Sequence, residues 1–257
     1  MLVDSHCHLN LLELTPFDGK LDDVLQAANA ADVTRMLCVS IDLQSLPEVL
    51  QCAERYDKVF ASVGVHPNNS QDKISVAQLT ELATHAKVVA IGETGLDYFR
   101  TTDNTESQRD AFRTHINAAK QTSKPLIIHT RQARDDTLQI MREEHAQEVG
   151  GVMHCFTETW EMAQAAMDLG FYISFSGIVT FKNAKALQEI AKKIPLESML
   201  IETDAPYLAP VPYRGKANYP GYVRYVAEFI AELRGESFAK IAQQTTKNFC
   251  RLFQINT

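Results

Sequence analysis

Eight short apolar runs rich in β-branched residues recur along this 257-residue chain, and longer segments with helical spacing separate them. The spacing predicts helices over 22–31, 107–121, 135–144, 160–169 and 184–193. The runs, which we interpret as strands, are LVDSHCHL, RMLCVSI, VFASVGVH, VVAIGET, PLIIHT, GVMHCF, FYISFS and MLIETD. Strand and helix alternating eight times in about 250 residues is the pattern of an α/β fold, the (β/α)8 TIM barrel.

The tail after the eighth run holds a proline-rich loop over 205–220 and two helical segments from Tyr222 onward, which predict extra C-terminal helices. The chain has no Ser/Gly-rich linker, low-complexity tract or sharp change of composition. We therefore expect one domain over 1–257. A doubly wound open sheet is the competing architecture, but no GxGxxG or GxxxxGK[ST] loop follows any of the runs.

Composition and charge exclude several classes of protein. The net charge is −7, so broad, non-specific coating of DNA is disfavoured, although a small pocket that grips one or two phosphates is compatible with it. The five cysteines form no CxxC pair, which suits reduced thiols in the cytoplasm. No apolar run approaches the roughly 18 residues of a membrane span, and nothing resembles a cleaved signal peptide. We expect a cytoplasmic monomer without a membrane partner.

Residues that can bind metals collect at the predicted carboxyl ends of six strands, the end where TIM barrels build their active sites. They are His8, His66, Glu93, His129, His154 and Asp204. His6 lies two residues before His8 in a strand, so both rings share a face, whereas Cys7 should point away. Taken singly, His66 could bind a backbone carbonyl and Asp204 could cap a turn. Taken together, these residues predict a metal centre.

The pattern is compatible with two cations. His6 and His8 could hold one, with Glu93 and Asp204 completing its ligands, and His129 and His154 could hold a second. A carboxylate can bridge two metals because both of its oxygens have lone pairs. Two cations roughly 3.5–4 Å apart can activate a water and stabilise the entering and leaving oxygens of a displacement.

Eight motifs run from one end of the chain to the other: DSHCHL (4–9), GVHP (64–67), GETGLDY (92–98), HTR (129–131), HCF (154–156), ISFSGIVTF (173–181), ETDAPYLAP (202–210) and RGKANYP (214–220). In this order they resemble the TatD family of metal-dependent hydrolases, which is related to the amidohydrolases. The resemblance implies a barrel with a two-metal centre that hydrolyses DNA phosphodiesters. Members of this family are commonly described as magnesium-dependent deoxyribonucleases, some of which act from the 3′ end. It implies one metal on His6, His8 and Asp204, a second on His129 and His154, and Glu93 between them.

The chemistry of this ligand set bears on which metal binds. Four histidines with two carboxylates are softer than Mg²⁺ prefers, and they suit Zn²⁺, Mn²⁺, Fe or Ni²⁺ at least as well. We therefore expect two divalent ions, Mg²⁺, Mn²⁺, Zn²⁺ or a similar metal, and the sequence leaves their identity open.

Our hypothesis for the reaction makes Asp204 the catalytic residue. A water activated by the cations attacks phosphorus, and Asp204 accepts its proton and later returns it to the leaving oxygen. Glu202 should share a face with Asp204 and orient a histidine ligand. Asp97 is either a second orienting residue or a loop cap.

Several residues are candidates for binding substrate. His66 and Arg131 could hold non-bridging phosphate oxygens, although an ion pair of Arg131 with Asp135 or Asp136 is an equal alternative. Arg214, with Lys216 and Asn218, lies in the loop after the eighth strand and could also contact substrate. Tyr98 and Phe99 could stack a base, but packing is the commoner fate of such rings.

Three functions from different classes fit these observations. The first is a deoxyribonuclease acting on DNA ends or single strands with a small footprint. The second is a barrel amidohydrolase cleaving a small-molecule ester, lactone or amide; many such enzymes use a carboxylated lysine where this chain has Glu93. The third, a non-catalytic metal or nucleic-acid binding protein, is disfavoured by the intact ligand set and the lack of a basic stripe.

Overall fold

Eight parallel strands form one sheet in the order in which they occur along the chain. They are β1 (Leu2–Cys7), β2 (Val33–Cys38), β3 (Val59–Val63), β4 (Val88–Asp97), β5 (Leu126–Arg131), β6 (Gly151–Met153), β7 (Phe171–Phe175) and β8 (Met199–Ile201). The computed structural model describes residues 1–70, 73–100 and 105–256. Helices alternate with the strands, so the predicted (β/α)8 barrel is confirmed.

The sheet closes between β1 and the segment that follows β8. Cys7 pairs with Ala205 in an isolated parallel bridge. The backbone N–H of His8 donates to the carbonyl oxygen of Ala205 at 2.8 Å, and that of Asp204 donates to the carbonyl oxygen of His6 at 2.9 Å. This closure brings the residues after β1 and β8 side by side.

The helices of the described residues include those predicted and two more. They are α1 (Leu21–Ala30), α2 (Leu46–Arg55), α3 (Val76–Leu82), α4 (Thr105–Thr122), α5 (Arg134–Glu143), α6 (Trp160–Asp168), α7 (Lys185–Lys193), α8 (Val223–Arg234) and α9 (Phe238–Leu252). The eight-fold alternation requires helices at the places of α2 and α3, which are 10 and 7 residues long, although no segment was assigned there from its spacing in the sequence. Of the two predicted C-terminal helices, α8 completes the alternation and α9 lies beyond it. Within the described residues, no helix is both long and apolar enough to span a membrane.

The amino-terminal end of the barrel is packed with apolar side chains and covered by α9. Residues from six strands form one cluster with Phe249 and Phe253 of α9: Val3, Leu37, Ala90, Ile127, Val152 and Leu200. Because these residues come from all around the sheet, they meet near the barrel axis. The barrel is a packed core at this end, and polar chemistry is confined to the other end.

An irregularity in β1 turns two consecutive side chains into the barrel. The pairing of β1 with β2 shifts register between Asp4 and Cys7. Ser5 Oγ lies 3.3 Å from Ser174 Oγ on β7, and the His6 ring stacks on the His154 ring, 3.8 Å between centroids, just beyond β6. Neither β6 nor β7 neighbours β1, so both contacts cross the interior. Such irregularities re-aim side chains next to active sites. Cys7 is buried in the core on the other face, as predicted.

Removal of the Phe249 ring should destabilise the barrel. Phe249 is 0% exposed and touches the apolar cluster, so Phe249→Ala leaves a cavity there. We expect a loss of about 3–5 kcal/mol in the free energy of unfolding, measured by chemical denaturation. Lys247→Ala, at an exposed position on the same helix, is the control and should change it by less than about 0.5 kcal/mol. Equal effects of the two substitutions would contradict this account of α9.

Candidate metal centre

A cavity of about 960 Å³ opens at the carboxyl-terminal end of the barrel. Glu93 and His129, on its floor, lie within β4 and β5, which extend past them. The other predicted strand-end residues follow the last residue of their strands and also line the cavity: His8, His66, His154 and Asp204. The sequence therefore placed these residues at the correct end of the barrel, although β4 is longer and β8 shorter than the apolar runs indicated.

Four of the predicted ligands meet beside β1. His6 Nε2 lies 3.3 Å from His8 Nε2 and 3.4 Å from Glu93 Oε2. Asp204 Oδ1 lies 3.4 Å from His8 Nε2 and 3.7 Å from His6 Nε2. Ligand atoms bound at about 2.1 Å to a shared tetrahedral ion would lie roughly 3.4 Å apart. The spacing of these donor atoms therefore fits a single cation.

The second oxygen of Glu93 faces another set of rings. Glu93 Oε1 lies 2.9 Å from His154 Nε2, 3.2 Å from His129 Nδ1 and 3.4 Å from His66 Nε2. The two oxygens of one carboxylate thus contact different histidines on opposite sides. This is the arrangement expected of a carboxylate that could serve two cations.

Three of these histidines have an acceptor for the ring nitrogen that faces away from Glu93 and Asp204. His8 Nδ1 lies 2.9 Å from the carbonyl oxygen of Val39, and His154 Nδ1 lies 3.0 Å from Glu202 Oε1. His129 Nε2 lies 3.2 Å from Asp97 Oδ2. An N–H donated to these acceptors leaves a lone pair on the nitrogen that faces the site, as metal binding requires.

Glu202 and Asp97 are the carboxylates behind the rings. Glu202 Oε1 also accepts a hydrogen bond from the backbone N–H of Cys155 at 2.8 Å, which holds it against His154. Asp97 combines the two roles that the sequence left open. Its Oδ1 accepts from the backbone N–H groups of Phe99 and Arg100, at 3.0 and 2.9 Å, while its Oδ2 faces His129.

The buried carboxylates are electrostatically suited to a cation. Burial raises the pKa of Glu93, but its interactions with His154 and the other histidine rings around it outweigh burial and hold that pKa well below its usual range. Burial likewise raises the pKa of Asp204, but its interactions with His8, His154 and His6 outweigh burial and hold that pKa below its usual value. Both groups are ionised at neutral pH. Buried negative charge requires positive charge beside it, and divalent cations supply it.

The backbone aims Asp204 into the site. Asp204 has a φ of 57°, in the left-handed region that Asp tolerates better than most residues. Its side chain contacts His8 and His6, while Thr203 Oγ1 accepts the backbone N–H of Ala205 at 3.1 Å. Thr203 therefore caps the turn, which was the alternative role considered for Asp204.

Arg131 lines the cavity at the last position of β5. Its guanidinium carbon lies 3.9 Å from the centre of the Phe99 ring. Asp136 accepts hydrogen bonds from Tyr98 Oη at 2.7 Å and Arg109 Nε at 3.1 Å, so the ion pair of Arg131 with Asp136 is not seen among the described residues. Tyr98 is thus held by a hydrogen bond to Asp136 and packs against the core, whereas Phe99 is 53% exposed.

The loop after β8 supplies two basic residues and one anchor. Arg214 and Lys216 line the cavity, and the Arg214 guanidinium carbon lies 4.2 Å from the centre of the Phe181 ring. Asn218, a candidate for substrate contact, is instead fully buried and donates from Nδ2 to the carbonyl oxygen of Thr203 at 2.9 Å. It ties the loop to the end of β8.

His115 on α4 is a buried histidine with a structural role that the sequence did not reveal. Its Nε2 accepts the backbone N–H of Val65 at 2.9 Å, and its Nδ1 donates to the carbonyl oxygen of Ala111 at 2.6 Å. The neutral ring therefore ties α4 to the residue before His66.

Loss of the Asp97 charge should weaken metal binding without removing a ligand. Asp97→Asn keeps an oxygen for the backbone N–H groups but holds the His129 N–H less strongly. We expect metal affinity to fall about 10- to 100-fold, measured by competition with a chelator. Glu54→Gln is the matched control, because Glu54 Oε1 lies 3.0 Å from His85 Nε2 on the surface. Equal affinities of Asp97→Asn and wild type would contradict the role of Asp97.

His115 should make stability depend on pH. Burial lowers its pKa to about 4 from an ordinary value of about 6.5, so the stability that the neutral ring contributes is present above pH 6.5 and is lost as pH falls toward 4. The stability advantage of wild type over His115→Gln should shrink by about 2 kcal/mol between pH 7.5 and 5. Urea denaturation of the metal-free proteins measures this difference, and a pH-independent difference would refute the prediction.

Comparisons with known proteins agree with the fold and the site. The model of the family described as TatD related DNase matches residues 3–254. The uncharacterized metal-dependent hydrolase YcfH of Escherichia coli (strain K12) is 50% identical over 255 residues, which cover 99% of this chain and 96% of that protein. The uncharacterized metal-dependent hydrolase YabD of Bacillus subtilis (strain 168) is 46% identical over 258 residues, covering 100% of both chains.

A solved structure is similar over the same length. The crystal structure of YjjV, a TatD homolog from Escherichia coli K12, superposes with a TM-score of 0.91 at 30% identity and covers 99% of this chain and 98% of that one. Fold, donor groups and whole-length similarity therefore lead to one conclusion: the chain belongs to the family of TatD-related DNases and is a metal-dependent hydrolase.

Proposed function

We propose that the protein is a two-metal-dependent deoxyribonuclease that hydrolyses phosphodiester bonds from the 3′ ends of DNA. The observation that carries this proposal is the division of Glu93 between two ligand groups, Oε2 toward His6 and Oε1 toward His129 and His154. A single carboxylate with both oxygens so placed can hold two divalent ions close together, as phosphodiester hydrolysis by two metals requires.

The donor atoms divide into two sets that share Glu93. His6, His8 and Asp204 would hold one ion with Oε2, and His129 and His154 would hold the other with Oε1. The ions would be Mg²⁺, Mn²⁺, Zn²⁺ or similar. When bound, they lower the pKa of a water and stabilise charge on the attacking and leaving oxygens.

Asp204 is the residue to which we assign proton transfer. Its side chain is 14% exposed at the cavity, and the low pKa noted above keeps it ionised and able to accept a proton. It takes the proton of the attacking water and returns it to the leaving oxygen. Asp97 and Glu202 hold the rings of His129 and His154 in place while this occurs.

The charge and shape of the cavity favour an anionic strand. Although the chain carries a net charge of −7, four basic side chains line this cavity: Arg100, Arg131, Arg214 and Lys216. The carboxylates of Glu93, Asp97 and Asp204 also line it, and divalent ions held by Glu93 and Asp204 would offset their charge, so that the basic side chains can attract an anionic ligand. Arg131 and Arg214 stack on aromatic rings, and the exposed Phe99 ring offers a surface for a nucleobase. These features suit the end of a single strand.

The family comparison supports DNA as the substrate, because the matching family is described as TatD related DNase. The preference for 3′ ends rests on the motif resemblance. The relatives from Escherichia coli and Bacillus subtilis are named for metal-dependent hydrolysis alone.

One feature favours the alternative of a small-molecule ester, lactone or amide. Part of the cavity wall is apolar and consists of Leu11, Ile41, Ile178 and Leu208. Such a wall suits an uncharged substrate. The same assay tests both functions.

The decisive experiment strips the protein of metal and restores ions singly. Restored protein should release label at once from 3′-labelled single-stranded DNA, whereas 5′-labelled DNA should give a ladder of shortened products. His129→Ala should retain one of two bound ions by elemental analysis and lose more than about 100-fold in activity. His85→Ala, which alters a histidine outside the cavity, should retain both ions and full activity.

Each of three outcomes would contradict the proposal. Turnover of amides, esters or lactones with intact DNA would replace the substrate class. Two ions still bound to His129→Ala would overturn the ligand assignment. Full DNA cleavage by Asp204→Asn would exclude Asp204 as the proton acceptor, unless a contaminating nuclease causes the cleavage. Purification of the variant through a second tag distinguishes these cases, because a contaminant would not follow both tags.

A further inference from the structure

His66 lies at the mouth of the centre, beyond the end of β3, with its side chain 15% exposed. Its Nε2 is 3.4 Å from Glu93 Oε1, and its ring centre is 4.6 Å from that of His129. By spacing alone, His66, Glu93 and His129 could hold a cation as a group of three. Hydrogen bonding of the His66 ring decides between a ligand and another role.

The proton of His66 is fixed by the backbone. The N–H of Asn68 donates to His66 Nδ1 at 3.1 Å, at the start of a 3-10 turn over Pro67–Asn69. A backbone N–H can only donate, so Nδ1 must carry a lone pair. In a neutral imidazole the single proton is then on Nε2, the nitrogen that faces Glu93 and the cavity.

The other histidines with a defined partner have the opposite arrangement. In His8 and His154, Nδ1 lies against an oxygen acceptor, and in His129 this position is taken by Nε2. Each therefore presents a lone pair to the site, where a cation needs one. His66 presents an N–H. A ligand role for His66 would require loss of both ring protons, which neutral imidazole does not undergo in water at ordinary pH.

We propose that His66 is an uncharged hydrogen-bond donor to the oxyanion of the substrate and is not a metal ligand. The proposal rests on the proposed function for the identity of the oxyanion, a non-bridging oxygen of a phosphodiester. Without substrate, Nε2 faces Glu93 Oε1 at 3.4 Å, and its N–H donates to a phosphate oxygen when one arrives. No proton is transferred, because loss of Nε2–H would leave an imidazolate. Neutral donors of this kind stabilise charge that grows in a transition state.

The location of the proton can be read by nitrogen NMR of the imidazole rings. We expect His66 Nε2 to remain protonated and Nδ1 to remain unprotonated when metal is added. The chain contains an internal reference in His85, whose Nδ1 accepts the N–H of Lys87 at 3.2 Å and whose Nε2 faces Glu54. Both rings should show the same pattern. Loss of the His66 Nε2 proton on addition of metal would overturn the proposal.

Substitutions separate a donor from a ligand and from a merely structural residue. His66→Ala should bind as many ions as wild type and lower kcat about 100- to 1,000-fold. His66→Gln keeps an uncharged N–H donor and should recover kcat to within about 10-fold of wild type. Loss of an ion from His66→Ala, or equal kcat values for the two variants, would overturn the proposal. His85→Ala should match wild type in ion content and kcat.

Failure of this inference can be distinguished from failure of the proposed function. Proton location and ion content are measured without substrate. If wild type cleaves a lactone or ester and leaves DNA intact, the proposed function fails. His66 is then judged by the NMR result, by the ion count and by the kcat values on that substrate, whose tetrahedral oxyanion takes the place of the phosphate oxygen.

Discussion

The carboxylate of Glu93 is the contact on which the upper half of this barrel depends. It is 3% exposed, and its two oxygens lie within 3.4 Å of four histidine rings that follow or belong to four different strands. A buried charge is costly unless it is paired and hydrogen-bonded. The strands must therefore keep their register and tilt for these rings to meet one carboxylate. The site and the closed barrel are for this reason one physical structure.

The two ends of the barrel have different roles, one in stability and the other in the metal centre. Apolar side chains from six strands fill the amino-terminal end with Phe249 and Phe253, which holds the strands together without the metal centre. At the other end, the register shift in β1 turns Ser5 and His6 inward together. A regular strand would have sent one of them toward the helices. Packing at the apolar end thus stabilises the barrel, while the other end holds buried carboxylates that require cations beside them.

Much of this could be predicted from the sequence, because spacing along a strand reports which side chains share a face. The pair His6 and His8, and the position of His129 and His154 at one rim, follow from alternation and strand order. Partners distant in the chain do not. His8 meets Val39, His154 meets Glu202, and Arg131 stacks on Phe99 rather than pairing with Asp136. Those contacts set tautomers and orientation, and they depend on tertiary packing.

Short helices and strands, and polar residues that become buried, were also difficult to predict from the sequence. With seven residues, α3 is too short to show a helical period, and the three-residue β8 ends before Asp204. Asn218 and Lys216 are two residues apart in one loop, yet Lys216 lines the cavity while Asn218 is buried against Thr203. Composition does not distinguish them. What distinguishes them is the backbone carbonyl of Thr203, which accepts a hydrogen bond from the Asn218 amide. Only folding brings this carbonyl close to Asn218.

The packing of α9 against the amino-terminal end has a consequence for how any polymer could be handled. In the described part of the chain, a strand end that enters the cavity meets the filled barrel and cannot pass through it. Among the described residues, the filled end of the barrel leaves the open side of the cavity as the route for substrate and product. If the protein cleaves DNA as proposed, a released fragment would have to leave before the shortened strand advances, and each cleavage would be tied to a partial withdrawal. Such geometry favours repeated brief encounters over continuous sliding along the polymer.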